Sequence, residues 1–196
     1  MTSLRAYFRT REGLIMLAVV AGVLLVTAGI ELALGRSFLG PDGRFGWWEP
    51  DIWSNENSQR LADPYSLSHI LHGFLFYGIL RLACPKLPVT YRLWMALGLE
   101  AGWEILENSP LIIDRYRAVT ISLGYVGDSV LNSLSDIVMM TGGFLFAWRA
   151  RVWVTVLVAV VFEVGCLLWV RDNLTLNIIM LIHPIDAIKT WQMGAQ

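Results

Sequence analysis

Acidic and imidazole side chains occur within apolar stretches of this sequence, where ionisable groups are costly. One stretch carries Glu100, Glu104 and Glu107, and their i, i+4, i+7 spacing places all three on one face of a helix. Another stretch begins with His69 and His72, about one helical turn apart. Imidazoles and carboxylates on facing helices suit Zn, Mn or Fe. The pattern predicts a divalent metal site.

A third stretch carries Asp128, Asn132 and Asp136 at i, i+4, i+8 spacing, which predicts one polar helix face. We expect the metal ligands to be His69, His72, Glu104, Glu107 and Asp128. Glu100 and Asp136, closer to the middle of their helices, are the candidates for general base or acid. A metal in this setting activates bound water, so the expected chemistry is hydrolysis or group transfer.

These polar residues are predicted to lie on one side of the membrane midplane. Counting 1.5 Å per residue places Glu100, Asp136 and Glu163 near the midplane, and His69, Glu107, Asp128 and Glu31 progressively toward the outer surface. Polar groups with only structural roles are expected on both sides. The one-sided distribution therefore favours a functional site.

Simpler interpretations stay open for each group. His-x-x-His is a weak motif, and a histidine near a span end is often hydrogen-bonded at the interface. The glutamates could be protonated or paired with Arg115, Arg117 and Arg171. The Asp and Asn side chains could join packed helices. His183, beside Pro184 in an apolar tail, is expected to be structural.

The composition is that of a membrane protein. The chain has 196 residues, of which 56% are hydrophobic and 16% charged, and its mean hydropathy is +0.55. It is too short for several domains, so we expect a single integral membrane domain over residues 1–196. A net charge of -1 gives no electrostatic footprint for nucleic acid.

Apolar runs define the expected fold, an all-α polytopic membrane bundle of about five transmembrane helices. The run Leu14 to Leu34 is longer than the apolar core of a signal peptide, so we expect a retained helix. The tail from Leu174 to Ile188 contains Pro184 and predicts a short interfacial helix rather than a sixth span. The predicted spans are about 14–34, 66–83, 93–108, 126–148 and 152–170.

Basic residues near the span ends predict the orientation. Eight of them fall on one side and seven on the other, and we expect the side with eight to be cytoplasmic. These eight are Arg5, Arg9, Arg11, Arg81, Lys86, Arg92, Arg149 and Arg151. The first set flanks the spans more tightly, which places the N-terminus inside and the C-terminus in the periplasm. Arg115 and Arg117 then lie outside, where they could bind a phosphate headgroup, with Asn108 and Asn132 as further candidates for substrate binding.

Six motifs stand out, at residues 54–59, 68–77, 103–110, 113–117, 127–133 and 171–177. Together they resemble an uncharacterised family of multi-pass inner-membrane proteins from Gram-negative bacteria. The resemblance implies a plasma-membrane location and brings no established activity. Members carry cysteines in the outer loop and an acidic residue where Gly124 stands. In this chain no cysteine occurs from Arg36 to Trp53. Fainter likenesses point to VanZ-like membrane proteins and to two-aspartate intramembrane signal peptidases.

Two functions compete at this point. The first is a metal-dependent hydrolase or transferase that acts at the periplasmic leaflet on a lipid or lipid-linked substrate. The second is a non-enzymatic accessory or assembly subunit of a membrane complex, whose polar outer motifs are hydrogen-bonded structure. A proton-coupled transporter is disfavoured, because the inner halves of the spans carry few polar residues and we find no inverted repeat. The reaction, the metal and any protein partners are not predicted.

Overall fold

The computed structural model describes residues 9–194, which form helices and no strand. Arg5, one of the basic residues used to predict orientation, lies outside the described residues. Eight helices are present in the described part of the chain: α1 (Arg11–Ala33), α2 (Ser66–Ala83), α3 (Val89–Glu107), α4 (Pro110–Val119), α5 (Val130–Arg149), α6 (Val152–Val170), α7 (Leu174–Ile182) and α8 (Asp186–Met193). The all-α prediction is confirmed.

Three of the described helices are long and apolar enough to cross a membrane, namely α1, α5 and α6. Their apolar side chains are widely exposed: Leu25 of α1 is 74% exposed and Leu168 of α6 is 80% exposed. Such surfaces are typical of contact with lipid. α2 and α3 have similar lengths, but imidazoles and carboxylates lower their hydropathy. They remain predicted spans.

The core forms where α2 packs along α5, with α3 beside both and α1 against α3. The buried contacts are mainly aliphatic and aromatic, from Phe74 on α2, Leu97 on α3, and Met140 and Phe144 on α5. α6 lies at the periphery, since Cys166 is its one buried residue. α2, α3 and α5 therefore form the centre of the bundle.

Local signals set the helix ends. Thr10 caps α1, because its hydroxyl accepts a hydrogen bond from the Gly13 amide at 3.1 Å. After α1, Gly35 adopts a left-handed conformation with φ of 85° and terminates the helix. Ser129 caps α5, its hydroxyl accepting from the Asn132 amide at 3.2 Å.

Three predicted boundaries are corrected. The span predicted to start near residue 126 begins at Val130, because the Ser129 cap precedes it. The connection after α3 contains the unpredicted helix α4, which starts at Pro110, a residue suited to the first helical position. The predicted tail helix is two helices, α7 and α8, because the interruption at Pro184 removes a backbone donor.

The segment between α1 and α2 covers the N-terminal end of α5. The Ser129 amide donates to the Ser58 carbonyl, and the next two amides donate to the carbonyls of Ser37 and Phe38. α4, α7 and α8 lie at this same end, since they adjoin the C-terminal ends of α3 and α6. The polar side chains of α2, α3 and α5 meet beneath this cover.

Candidate metal centre

Two histidines of α2 and one glutamate of α3 form the centre of the polar cluster. Nδ1 of His69 lies 2.7 Å from Oε1 of Glu100, and Nδ1 of His72 lies 3.1 Å from Oε2 of the same carboxylate. Glu100 is fully buried and His69 is 8% exposed. Ligand atoms of the three side chains all lie within 4.8 Å of one another. They are therefore close enough to share one metal ion.

Glu104 lies one helical turn beyond Glu100 and is also fully buried. Its Oε1 is 3.2 Å from Nδ1 of His69, but neither of its carboxylate oxygens has a hydrogen-bond partner among the described residues. The short distance thus does not reflect a well-oriented hydrogen bond. A buried carboxylate without donors is costly, and such a group calls for a cation or a proton.

Asp136 reaches the same cluster from α5. Its Oδ2 is 3.7 Å from Nε2 of His69, and its Oδ1 is buried without a hydrogen-bond partner in the described structure. His69, Glu104 and Asp136 form a second group whose ligand atoms lie within 4.8 Å of one another. His69 thus contacts carboxylates on both sides of its ring.

A third group joins Glu104 and Glu107 to Asp128, again within 4.8 Å. Asp128 was predicted to lie on the helix of Asp136, but it precedes α5 in the extended segment before the Ser129 cap. Tyr125 donates to its Oδ1 at 2.9 Å and Asn108 donates to its Oδ2 at 3.2 Å. Burial raises the pKa of Asp128 to about 6, against the lowering effect of the Tyr125 hydrogen bond.

A cavity of about 420 Å³ adjoins the cluster. Its polar wall includes His69, His72, Glu107, Asp128 and Asp136. Its apolar wall comes from α2, α3 and α7: Leu75, Phe76, Ile79, Leu99, Trp103, Leu174, Ile178 and Leu181. A pocket of this size, apolar with a few convergent polar groups, is typical of a small-molecule site.

The two asparagines predicted to bind substrate make hydrogen bonds to other residues of the chain. The Asn108 amide group donates to Asp128 and to the Ser133 hydroxyl, and its Oδ1 accepts from the Asp128 amide at 2.6 Å. Asn132 donates to the Arg60 carbonyl at 3.0 Å, although it also lines the cavity. Asn108 therefore orients a cluster carboxylate, while Asn132 is in a position to contact a bound molecule.

The two arginines predicted to bind a phosphate headgroup lie away from the cavity. Arg115 donates through Nε and Nη2 to the Leu181 carbonyl at 3.0 and 2.8 Å, which ties α4 to α7. Arg117 donates to the Tyr125 carbonyl at 2.5 Å and lies 3.6 Å from Asp114. Neither arginine lines the cavity. The structure thus gives no support to their predicted role in substrate binding.

Two further acids of the predicted spans do not join the three ligand groups. Glu163 of α6 accepts hydrogen bonds from the Leu174 and Thr175 amides at 3.1 and 3.2 Å, so it caps the start of α7. Glu31 of α1 is fully buried, and its carboxylate oxygens have no hydrogen-bond partner in the described part of the chain.

Sequence reasoning missed several residues around the cavity. Asp63, Tyr65 and Tyr125 all line it. Asp63 accepts from the Ser58 and Tyr65 amides at 2.9 and 2.8 Å, and burial raises its pKa. The Asp63-Pro64 pair before α2 was an available turn signal. Its position beside the cluster depends on how the segment between α1 and α2 folds, which no local pattern predicts.

Comparisons with known proteins give a family and no activity. The family model described as "Protein of unknown function (DUF2585)" matches residues 31–194. A UPF0314 protein of Sphingopyxis alaskensis is 52% identical over 176 residues, covering 90% of this chain and 94% of the relative. A UPF0314 protein of Rhizobium etli is 47% identical over 194 residues, covering 99% of this chain and 100% of the relative.

A UPF0314 protein of Agrobacterium fabrum is 51% identical over 174 residues, covering 89% of this chain and 88% of the relative. No solved structure matches the chain. The fainter likeness to VanZ-like proteins is not shown by these matches. The expected membership of an uncharacterised bacterial family is confirmed, and this chain belongs to the DUF2585 family of proteins of unknown function.

Proposed function

We propose that this protein is a metal-dependent hydrolase or transferase that acts on a lipid or lipid-linked substrate. One observation carries the proposal: ligand atoms of His69, His72 and Glu100 lie within 4.8 Å of one another, and both histidines line a largely apolar cavity. Two imidazoles and one glutamate are the donor set of several catalytic zinc sites, where a fourth position stays open for water or substrate. Zn, Mn or Fe would suit these donors.

The carboxylates around the ligand set have the positions that acid-base chemistry requires. Glu104 and Asp136 each approach His69, from opposite nitrogens of its ring. In hydrolysis, water forms a bond to the electrophilic atom of an ester while the bond to the leaving oxygen breaks. Asp136, which lines the cavity, would accept the proton of the attacking water and donate a proton to the leaving oxygen, while Glu104 stays available as a metal ligand. Glu100, expected as an acid or base, serves better as a ligand.

The apolar wall of the cavity indicates a lipid substrate. Leu75, Ile79 and Leu99 line the cavity and are still 49%, 58% and 54% exposed. The cavity therefore reaches the outer surface of α2 and α3, which faces lipid if both helices span the membrane. An acyl or isoprenoid chain could enter there while its polar end reaches His72 and Asp136.

The proposal places the protein in the bacterial inner membrane with five spans. α1, α5 and α6 have the length and apolar composition for spanning. The close packing of α2 and α3 against α5 supports a spanning position for these two as well. The basic residues near Arg11, Arg92 and Arg149 favour a cytoplasmic N-terminus and a cluster on the periplasmic side.

A lipid-turnover experiment tests the enzymatic proposal. Detergent-purified protein, stripped with a chelator and reloaded with Zn²⁺ or Mn²⁺, is incubated with a polar lipid extract of a Gram-negative bacterium, and the lipids are measured by mass spectrometry. We expect a lipid species to be consumed only when metal is present, and not by the Glu104→Gln variant. The exposed-acid variant Asp114→Asn is the matched control and should keep the activity. Protein that takes up neither Zn²⁺ nor Mn²⁺ would contradict the proposal.

A second function is favoured by a different observation. Asn108, Ser129 and Asn132 all direct their hydrogen bonds to other parts of the same chain. These contacts are what an accessory or assembly subunit of a membrane complex requires from its polar motifs. Co-purification with a stoichiometric protein partner, in the absence of bound metal, would favour this function over the enzymatic one.

A further inference from the structure

The acidic cluster extends beyond the three residues proposed to hold the catalytic ion. Glu104, Glu107 and Asp128 form a separate group within 4.8 Å, and this group shares neither histidine with the first. Its donors are all carboxylates, whereas the first group has two imidazoles and one carboxylate. Carboxylate oxygens suit harder cations such as Mn²⁺, Mg²⁺ or Ca²⁺.

Glu104 lies between the two groups and has no hydrogen-bond partner among the described residues. It is fully buried, and both of its oxygens lack a hydrogen-bond donor among the described residues. One oxygen approaches Nδ1 of His69 at 3.2 Å, and the carboxylate also groups with Glu107 and Asp128. A carboxylate whose two oxygens accept no hydrogen bond can bind one cation through each of them.

The surroundings of Asp128 fit the role of a ligand. Tyr125 and Asn108 donate to its two oxygens, at 2.9 and 3.2 Å, and a second Asn108 contact holds its backbone amide. Such outer hydrogen bonds orient the carboxylates of metal sites and leave a lone pair on each oxygen for the ion. A purely repulsive group of three carboxylates would gain nothing from this fixed orientation.

We infer that the cluster is a two-metal centre, with one ion held by His69, His72 and Glu100 and a second by Glu107 and Asp128, bridged by Glu104. The inference rests on the proposed function and extends it. Paired ions about 3.5–4 Å apart stabilise the attacking and leaving oxygens of phosphoryl and related transfers. The second ion would thus lie on the cavity wall, where Glu107 and Asp128 meet the bound substrate.

Metal stoichiometry tests this inference. Purified protein is stripped with a chelator, saturated with Mn²⁺, desalted and measured for manganese per chain. We expect two ions in the wild type and one in either Glu107→Gln or His72→Ala, while Asp114→Asn keeps two. Electron paramagnetic resonance of the wild type should show a spin-coupled pair, and each of the two variants should show an isolated ion.

The outcomes separate the two proposals. A wild type that binds a single ion, lost in His72→Ala and kept in Glu107→Gln, overturns the two-metal centre and leaves the proposed function standing. A wild type that binds no ion overturns both. If a variant fails to fold, the resonance spectrum of the wild type still tests the two-metal centre. A spectrum of isolated ions in Mn²⁺-saturated wild type would contradict it.

Discussion

Gly73 of α2 and Gly143 of α5 lie against each other where the two helices cross. A Cβ atom on Gly73 would overlap the Met140 carbonyl, and one on Gly143 would overlap the Ile70 carbonyl. The absence of side chains allows the two backbones to touch, as in small-residue contacts between membrane helices. This crossing lies next to His72 and brings the imidazoles of α2 toward Asp136 of α5.

Gly73→Ala is expected to destabilise the protein, because the added methyl group meets backbone atoms that cannot rotate away. Overpacking of this kind costs about 1–3 kcal/mol, and each kcal/mol lowers Tm by about 2–4 °C in a protein of this size. Thermal unfolding in detergent measures the effect. Gly78→Ala on the same helix is the control, since nothing lies within 4 Å of its Cβ position; equal Tm values for both variants would contradict the close crossing.

Much of the cluster could be predicted from the sequence, because it depends on helical periodicity. The i, i+4, i+7 spacing placed Glu100, Glu104 and Glu107 on one face, and the structure brings that face to His69. The position of Asp128 could not be predicted in the same way. Its i−4 spacing from Asn132 fits a helix, but the Ser129 cap starts α5 after it.

Long-range contacts explain the remaining differences. Glu163 has the sequence pattern of an intramembrane acid, yet its partners are the first amides of α7. Arg115 has the pattern of a headgroup ligand, yet it binds the Leu181 carbonyl 66 residues away. No local pattern predicts these pairings, because they depend on where the tail packs.

Glu163→Ala is expected to loosen α7 without changing the metal centre. The substitution removes the acceptor for the Leu174 and Thr175 amides, and hydrogen bonds to a charged group contribute about 1.5–3 kcal/mol. We expect a lower Tm, faster proteolysis between α6 and α8, and unchanged metal content. Glu163→Gln keeps an acceptor, so its Tm should lie between those of Glu163→Ala and the wild type. Loss of bound metal in Glu163→Ala would show that this acid belongs to the cluster after all.

Asp172 should make stability depend on pH. It is 3% exposed, and burial raises its pKa from 3.8 to about 6, although Tyr65 and Gln192 donate to it. For a carboxyl group whose pKa is raised in the folded state, the free energy of unfolding is not lowered well below pH 3.8, because the group is protonated in both the folded and the unfolded state. Between that pH and about 6 the unfolded state ionises first, so stability falls as pH rises and then stays constant.

The difference in unfolding free energy between the wild type and Asp172→Asn isolates this term. We expect it to fall by about 2 kcal/mol between pH 4 and pH 7, because the rest of the full change of about 3 kcal/mol, at about 1.4 kcal/mol for each pKa unit, occurs outside this range. Chemical denaturation in detergent at several pH values measures it, and titration of other acids cancels in the subtraction. A difference that does not vary with pH would show that Asp172 titrates alike in the folded and unfolded states.

The most direct test of the metal centre is anomalous diffraction from crystals grown with Zn²⁺ or Mn²⁺. We expect a strong peak between α2 and α3, with the imidazole nitrogens of His69 and His72 and an oxygen of Glu100 each about 2.0–2.2 Å from the ion. A metal-saturated crystal without that peak, with His69 still hydrogen-bonded to Glu100, would contradict it.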